Sequence, residues 1–312
     1  SGNGLFEVKN KNCFTSLNQY DFSYEYIVNG KVKHAARLSL PDVSPLSSAK
    51  FKVPIPEHPR GEVFIKFIAK SRGQNPMVPE GSVVAWNQVE LTDPLINNFS
   101  KVAPSGIISL NEKENYIHIS SPVFSCTFSK DRGTISELKY HDQVVLSKEM
   151  SPNFWRPSTD NDLGNGQQNR CRIWYKAADS AIVEYCKYSL FKNYLSIEVK
   201  IALNAGNSNL NLVYFFYADG EIRIENSFFA GDSLLPELPR LGMLAFLPGE
   251  YTNLDWYGRG PHENYWDRDQ SAPIGIYHST VWEQYHPYVR AQETGNKTDV
   301  RWISLTNKTG KG

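Results

Sequence analysis

The sequence predicts an all-β chain, and three observations lead to that fold class. Short runs that alternate apolar with polar residues recur along the 312 residues. Aromatic residues make up 13% of the chain, and aromatic side chains pack well on pleated sheet faces. No long segment has the 3.6-residue apolar period of a helix, apart from a weak pattern over residues 171–178. The length predicts two domains, at residues 1–92 and 110–312, with a linker over 93–109.

The first domain is predicted to be an immunoglobulin-like β-sandwich. Residues 20–28 alternate aromatic with polar side chains, which gives one face to a core. The pair Asn29-Gly30 follows, and both residues tolerate the positive φ of a two-residue hairpin turn. Further strands are predicted over residues 6–10, 63–69 and 83–91. Several short strands within 100 residues, separated by turn signals, are typical of such a sandwich.

The second domain is predicted to be β-rich throughout. The linker before it contains prolines, paired asparagines and a glycine, all of which favour turns or extended chain. Strands are predicted over residues 116–119, 194–201 and 222–226, with turns at 131–133 and 204–207.

Composition argues against several classes of protein. Lys+Arg and Asp+Glu both total 33, so no net charge favours nucleic acid or an anionic membrane. No apolar run approaches about 18 residues, the length that a membrane span requires. The four cysteines form no C-x-x-C pair, which argues against zinc, and Cys126 is interpreted as a buried free thiol.

Residues 256–268, WYGRGPHENYWDR, concentrate aromatic and charged side chains in thirteen positions. Two glycines and a proline indicate a loop, in which His262 and Glu263 could act as an acid and a base in a sugar pocket. The preferred interpretation is structural. We expect Glu263 or Asp267 to form a buried ion pair with Arg259 or Arg268 that holds the loop. A sugar-facing wall and a catalytic role are the alternatives.

Residues 153–164, NFWRPSTDNDLG, contain two carboxylates that could bind a cation. A calcium loop needs a further oxygen ligand and a Glu at position twelve, where this chain has Gly164 and Cys171. We therefore predict a metal-free, capped turn, in which Asp160 and Asp162 accept backbone N–H groups near Arg156.

These two segments and a third one resemble motifs of family 2 β-galactosidases. Residues 256–268 resemble the W-(F/Y)-G-x-G-P-x-E-N-Y-x-D-R signature of the family's C-terminal domain, and 153–164 resemble its F-(W/Y)-R-x-x-T-D-N-D-x-G element. Residues 285–296, YHPYVRAQETGN, are similar to the Y-x-x-P-Y run of the same domain. Residues 85–88, AWNQ, resemble the A-W-x-Q strand of the preceding immunoglobulin-like domain.

The resemblance implies a galactose-mutarotase-like supersandwich for residues 110–312, truncated at its C-terminus, because the family continues beyond the final turn. In the family, two glutamates on an upstream barrel cleave terminal β-D-galactosides with retention. No segment here looks like their motifs. The chain is therefore expected to be a non-catalytic part of such a hydrolase. It would brace the barrel, shape one wall of the active site and contribute to subunit contacts.

The candidate substrate-binding residues are Trp155, Arg156, Asp160, Asp162, His262, Glu263 and Arg268. No catalytic residue is expected in this part. No metal-binding residue and no cofactor are expected either, because the family often uses Mg and Na at the barrel site. The expected partners are a carbohydrate substrate and further copies of the same chain in a homo-oligomer. Binding to nucleic acid or to a membrane is not expected. The compartment is left open between the cytoplasm and the periplasm of a bacterium.

Two other functions are open. A stand-alone carbohydrate-binding module would use exposed tryptophans such as Trp155, Trp266 or Trp282, and an exposed stripe of them would favour it. A mutarotase-like enzyme would use His262 or His286, and a histidine facing a carboxylate across a cleft would favour it.

Overall fold

A computed structural model describes residues 4–55, 61–92 and 106–312 and confirms the predicted all-β class with β-sandwich domains. The strands of these residues are β1 (Leu5–Lys9), β2 (Tyr20–Val28), β3 (Lys31–Leu38), β4 (Ser48–Lys52), β5 (Val63–Ser71), β6 (Val83–Glu90), β7 (Ser109–Glu112), β8 (Tyr116–Ser120), β9 (Phe124–Ser129), β10 (Thr134–Tyr140), β11 (Gln143–Val144), β12 (Lys148–Asn153), β13 (Ile182–Leu190), β14 (Tyr194–Leu203), β15 (Ser208–Tyr217), β16 (Ile222–Phe229), β17 (Gly242–Phe246), β18 (Asn253–Arg259), β19 (Ile274–Thr280) and β20 (Trp302–Thr306). The helices are α1 (Asp160–Asn165) and α2 (Gln167–Arg170), with 3-10 turns at Leu17–Gln19, Arg172–Trp174, Ala205–Asn207 and Trp282–Gln284.

The chain divides into two compact units. The first comprises the described parts of Ser1–Phe99, Asp255–Ser279 and Gly295–Ser304. The second comprises those of Ser100–Leu254, Thr280–Thr294 and Leu305–Gly312. The domain boundaries at residues 92 and 110 stay a prediction, and only residues 106–109 of the expected linker lie within the described part.

The first unit contains a four-stranded sheet, ordered β3-β2-β5-β6, and a two-stranded sheet of β1 and β4. Tyr24, Tyr26 and Ile65 lie on one face of the larger sheet, and together with Val53 they form a buried cluster with Phe6 and Phe51 packed against it. The predicted hairpin is present, because Val28 pairs with Lys31 and both turn residues have positive φ.

The other face of the four-stranded sheet is covered by the late segments of the chain that belong to this unit. Ile27 and Phe64 alternate with the residues of the first face and pack against Tyr257 and Ile274. The side chain of Gln88 forms two hydrogen bonds with the backbone of Ile274, at 2.7 and 2.8 Å. Strand β18 lies between β19 and β20 in the three-stranded sheet that carries these residues.

The second unit is a sandwich around one large core. A five-stranded sheet, β11-β10-β9-β8-β7, and a four-stranded sheet, β13-β14-β15-β16, supply most of its buried residues. Phe128 and Tyr214 from the two sheets meet edge to face at 4.9 Å, and the Tyr214 hydroxyl donates to the Gly133 carbonyl at 3.0 Å. Strands β12 and β17 form a separate pair.

The structure differs from the sequence prediction between residues 160 and 174. The weak helical pattern at 171–178 corresponds to a 3-10 turn at Arg172–Trp174, while helices α1 and α2 come earlier. Cys171 and Trp174 are buried in the core, which explains the apolar spacing that the sequence shows there. None of the helices within the described residues has the length and apolar character that a membrane crossing requires.

Candidate functional site

The second motif, residues 153–164, forms the start of helix α1 rather than an isolated turn. Thr159 is the N-cap residue, and its hydroxyl accepts the Asp162 N–H at 3.3 Å. Asp162 Oδ2 accepts the Thr159 N–H in return, at 2.8 Å, which completes a reciprocal capping box. The predicted capping role of Asp162 is therefore confirmed, whereas the Asp160 carboxylate, which was expected to accept backbone N–H groups as well, accepts the Gln292 side-chain amide instead.

Arg156 lies between two carboxylates in this region. Its Nη2 donates to Asp162 Oδ1 at 3.0 Å, and its Nη1 lies 2.7 Å from Asp162 Oδ2 and 3.5 Å from Glu293 Oε2. The Nη1 atom is buried, and its contacts lack hydrogen-bond geometry, so they are electrostatic. The side chains are 19% exposed for Arg156, 11% for Asp162 and 9% for Glu293, so this network is shielded from water.

The third motif, residues 285–296, supplies the other half of this cluster. Glu293 also forms an ion pair with Arg240. Gln292 Oε1 accepts the Asp160 N–H at 3.2 Å, and its Nε2 donates to Asp160 Oδ2 at the same distance. Arg290 lies 3.8 Å from Asp160, on the exposed side of the contact. Two motifs more than 100 residues apart therefore meet at the N-terminus of α1.

A cation does not fit this arrangement. Asp162 is already held by a guanidinium and a backbone N–H, and Asp160 by an amide side chain. Positive partners occupy the oxygens that a calcium or magnesium ion would need. Within the described residues, no three His, Cys, Asp or Glu side chains are placed to hold a metal.

Trp155 forms an aromatic pair that the sequence did not suggest. Its ring meets that of Tyr175 edge to face, with centroids 5.3 Å apart and planes at 80°. Tyr175 is 56% exposed, and Trp155 is half-buried. The exposed Tyr175 ring combines an apolar face with a polar hydroxyl, which suits contact with a sugar ring.

The first motif, residues 256–268, starts in strand β18 and continues as a tightly held loop of the first unit. Arg259 Nε lies 2.6 Å from Asp299 Oδ2, and its Nη1 donates to the carbonyls of Asp269 and Ala272 at 3.2 and 3.1 Å. Asn264 is fully buried, and its Oδ1 accepts the N–H of Thr298 at 2.8 Å and the hydroxyl of the same residue at 2.6 Å. These bonds fix the loop against residues 295–299.

Glu263 and Arg268 form the predicted ion pair, at 2.6 Å, but only one partner is buried. The Glu263 side chain is 10% exposed, whereas that of Arg268 is 52% exposed. Glu263 Oε2 also accepts the Gly295 N–H at 2.9 Å. The expectation of a fully buried pair is therefore wrong for Arg268, because its long side chain reaches the surface and crosses the Tyr265 ring at 5.7 Å.

At position 260, on the inner side of this loop, the packing leaves no room for a residue larger than glycine. A Cβ atom on Gly260 would lie 2.7 Å from the Tyr277 ring and 2.9 Å from the Trp256 ring.

The ammonium group of Lys297 lies over the Trp256 ring at 5.2 Å. Burial lowers the pKa of this ammonium, and the nearby charge of Glu263 raises it.

The two histidines considered for a mutarotase-like mechanism, His262 and His286, contact a hydroxyl and an aromatic ring, whereas His278 Nδ1 lies 2.6 Å from Asp255 Oδ1 at an exposed position. His262 Nε2 lies 2.9 Å from the Ser271 hydroxyl, so His262 and Glu263 have different partners. His286 stacks edge to face on Tyr288 at 4.4 Å. His118 and Glu137 share a shallow cleft of the second unit, but both contact the Thr127 hydroxyl at 3.2 Å. The Thr127 hydroxyl therefore bridges the two side chains.

The seven candidate residues thus fall into two groups. Trp155, Arg156, Asp160 and Asp162 lie in the second unit, where Arg156 contacts Asp162, and His262, Glu263 and Arg268 lie in the first, where Glu263 contacts Arg268. The sequence analysis missed Arg240, Tyr175 and Glu293. Glu293 lies inside a recognised motif, which could have identified it, but Arg240 and Tyr175 carry no comparable sequence signal.

Comparison with known proteins connects these motifs to one family. Residues 120–311 match the family described as "Beta galactosidase small chain", and residues 6–92 match "Beta-galactosidase, domain 4". The first match covers more than half of the 312 residues. The chain belongs to the β-galactosidase small chain family.

Relatives that carry the name β-galactosidase align with nearly the whole chain. The Priestia megaterium protein is 34% identical in an alignment of 312 positions, which covers 99% of this chain. The Lactobacillus delbrueckii subsp. bulgaricus protein is 29% identical over 98% of it, and the Clostridium acetobutylicum protein is 30% identical over 88%. The chain spans about 30% of the length of each of these relatives.

Proposed function

We propose that this chain is a non-catalytic C-terminal part of a β-galactosidase. The observation that carries the proposal is that nearly the whole chain aligns with only about 30% of each relative named β-galactosidase. The chemistry of the whole enzyme would be hydrolysis of terminal non-reducing β-D-galactose residues with retention, by two glutamates outside this chain. Any Mg or Na would lie with those glutamates, because the carboxylates at α1 do not fit a cation.

The chain would contribute surfaces rather than reacting groups. Arg156, Asp162 and Glu293 hold one another, which leaves them as a rigid support and not as free acids or bases. Trp155 pairs with Tyr175, and Asp160 binds Gln292. These residues would form one wall of a galactoside site. We place the enzyme in the cytoplasm or periplasm of a bacterium, as a homo-oligomer.

The experiment is complementation. The purified 312-residue chain is assayed with a chromogenic β-galactoside, alone and together with the part of the Priestia megaterium relative that this chain does not cover. The chain alone should be inert, and the mixture should hydrolyse the substrate. Turnover by the chain alone, after removal of host β-galactosidase, would contradict the proposal.

A carbohydrate-binding module is the second candidate, because Trp266 is 94% exposed and Trp282 is 78% exposed. The rings lie in different units, so each is tested separately. If this function applies, lactose should bind to the intact chain, and Trp266→Ala or Trp282→Ala should abolish the binding without changing the melting temperature.

A further inference from the structure

The two facing sheets of the first unit differ in length. Strands β2 and β5 have nine residues each, while β1 and β4 have five. At about 3.3 Å per residue, these lengths are roughly 30 and 17 Å. The shorter sheet therefore does not extend along the full length of the longer sheet.

Small side chains occupy part of one face of the larger sheet. Phe22 pairs with Ala69, and Ala69 pairs with Ala85 on the neighbouring strand. Phe22 is two residues from Tyr24, and Ala69 is two residues from Phe67, so they lie on the same face as Tyr24 and Phe67. Ala85 pairs with Ala69 and therefore lies on that face as well. Two adjacent alanines leave space where larger side chains would meet the opposite sheet.

A cleft of about 400 Å³ results, within the size range of small-molecule sites. Its walls are aromatic, since the ring of Phe67 meets Phe6 at 5.0 Å and Phe51 at 5.4 Å, both edge to face. Leu38 and Leu40 also line it. An elongated apolar group would find carbon surfaces on several sides.

The charged residues that line the cleft are Glu7, Lys9 and Lys11. Glu7 accepts a hydrogen bond from the Ser48 hydroxyl at 2.7 Å. Both lysines are exposed, and neither has an ion pair with another residue of the described ranges. The two ammonium groups therefore outnumber the single carboxylate at an apolar cleft, which favours an anion with an apolar body.

We propose that this cleft binds a small amphipathic carboxylate, with its apolar chain between the two sheets and its carboxylate at Lys9 and Lys11. Area removed from water would supply most of the affinity, and the lysines would select the anionic headgroup. The site lies wholly in the first unit and is independent of the proposed galactosidase role.

Calorimetric titration of the intact chain with decanoate, below its micellar concentration, tests the proposal. One saturable site is expected. Ala85→Leu should fill the cleft and abolish binding. Ala35→Leu is the matched control, because Ala35 is exposed and pairs with Glu25, a residue of the opposite face of the same sheet. This control should bind as the parent does, and melting temperatures should show that both variants are folded.

The headgroup is tested with the double variant Lys9→Gln/Lys11→Gln. It should bind decanoate about tenfold more weakly and decanol with unchanged affinity. Absence of saturable binding, or full binding by Ala85→Leu, would overturn the proposal. Self-association of the chain that Ala85→Leu disrupts, with no decanoate uptake, would assign the cleft to a second copy and would also overturn it.

Discussion

The hydroxyl of Tyr257 donates a hydrogen bond to the carboxylate of Glu62, a residue 195 positions earlier in the chain. Both residues are 5% exposed. Burial and this bond raise the pKa of Tyr257 above its usual range. Arg301 Nε donates to both oxygens of Glu62 at 3.1 Å, so three distant segments of the first unit meet at one carboxylate.

Arg301→Ala should therefore be strongly destabilising. It would leave Glu62 buried without its cation, a change that costs about 3 to 5 kcal/mol when the partner is buried. Arg72→Ala is the control, because the Arg72–Asp21 pair has a similar distance of 2.9 Å but side chains that are 47% and 64% exposed. The control should lose about 1 kcal/mol or less. Urea unfolding measures both, and equal losses would contradict the assignment.

The features that could be predicted from the sequence are those set by residues close together in the chain. Asn29-Gly30 identified its hairpin, because few dipeptides accept two positive φ angles. Asp162 was correctly assigned to a cap, because carboxylates in a short polar run commonly accept nearby backbone N–H groups. The partners of Glu62 and the ion pair of Arg240 with Glu293 could not be predicted, since they depend on which distant segments meet. Arg268 was predicted to be buried, but its side chain is half exposed, because the sequence does not show how far a long side chain extends.

The capping box predicts a graded response at α1. Thr159→Ala should cost about 1 kcal/mol, the usual value for a lost N-cap. Asp162→Ala should cost about 1 to 3 kcal/mol, because it also removes the partner of Arg156. Asp160→Ala, with a side chain that is 58% exposed, is the control and should change little. A calcium-dependent rise in melting temperature that Asp162→Ala abolishes would show a metal site instead.

Asn264, rather than Arg268, should be the residue on which the 256–268 loop depends. Asn264→Ala would remove the acceptor of the Thr298 N–H and hydroxyl inside a fully buried site, at a cost of about 2 to 4 kcal/mol. Arg268→Ala should cost less, because the guanidinium is half exposed and Glu263 keeps the Gly295 N–H as a partner. Thermal unfolding of the two variants gives the ranking, and the reverse order would refute it.

Tyr277 should contribute to the loss of stability at alkaline pH. Its hydroxyl donates to the Pro273 carbonyl at 2.7 Å, and burial raises its pKa to about 12 from 10.0. The folded chain thus favours the neutral phenol. This stabilisation is complete below pH 10 and is lost as the pH rises through 12. Tyr277→Phe should show a smaller fall in unfolding free energy between pH 10 and 12, and an unchanged slope would contradict this reasoning.

Strand β20 should mediate self-association of the isolated chain. It is the outer strand of its sheet, and Trp302 and Ile303 are 42% and 60% exposed. An outer strand with apolar side chains presents unpaired backbone groups and uncovered carbon surface to a second copy. Such an exposed strand could either self-associate or be mobile from residue 296 onward. The bonds of Thr298 to Asn264 and of Arg301 to Glu62 now favour the first.

Sedimentation of the chain at increasing concentration should therefore show a reversible dimer. Ile303→Lys should shift the chain to monomer, because a charge on an outer strand opposes edge pairing. Met77→Lys is the matched control, since Met77 is 86% exposed but lies outside the strands. Hydrogen exchange should show protection of residues 302–306 that rises with concentration. Strong protection of these amides in a monodisperse monomer would mean that the sheet is satisfied without a second copy, and the prediction would fail.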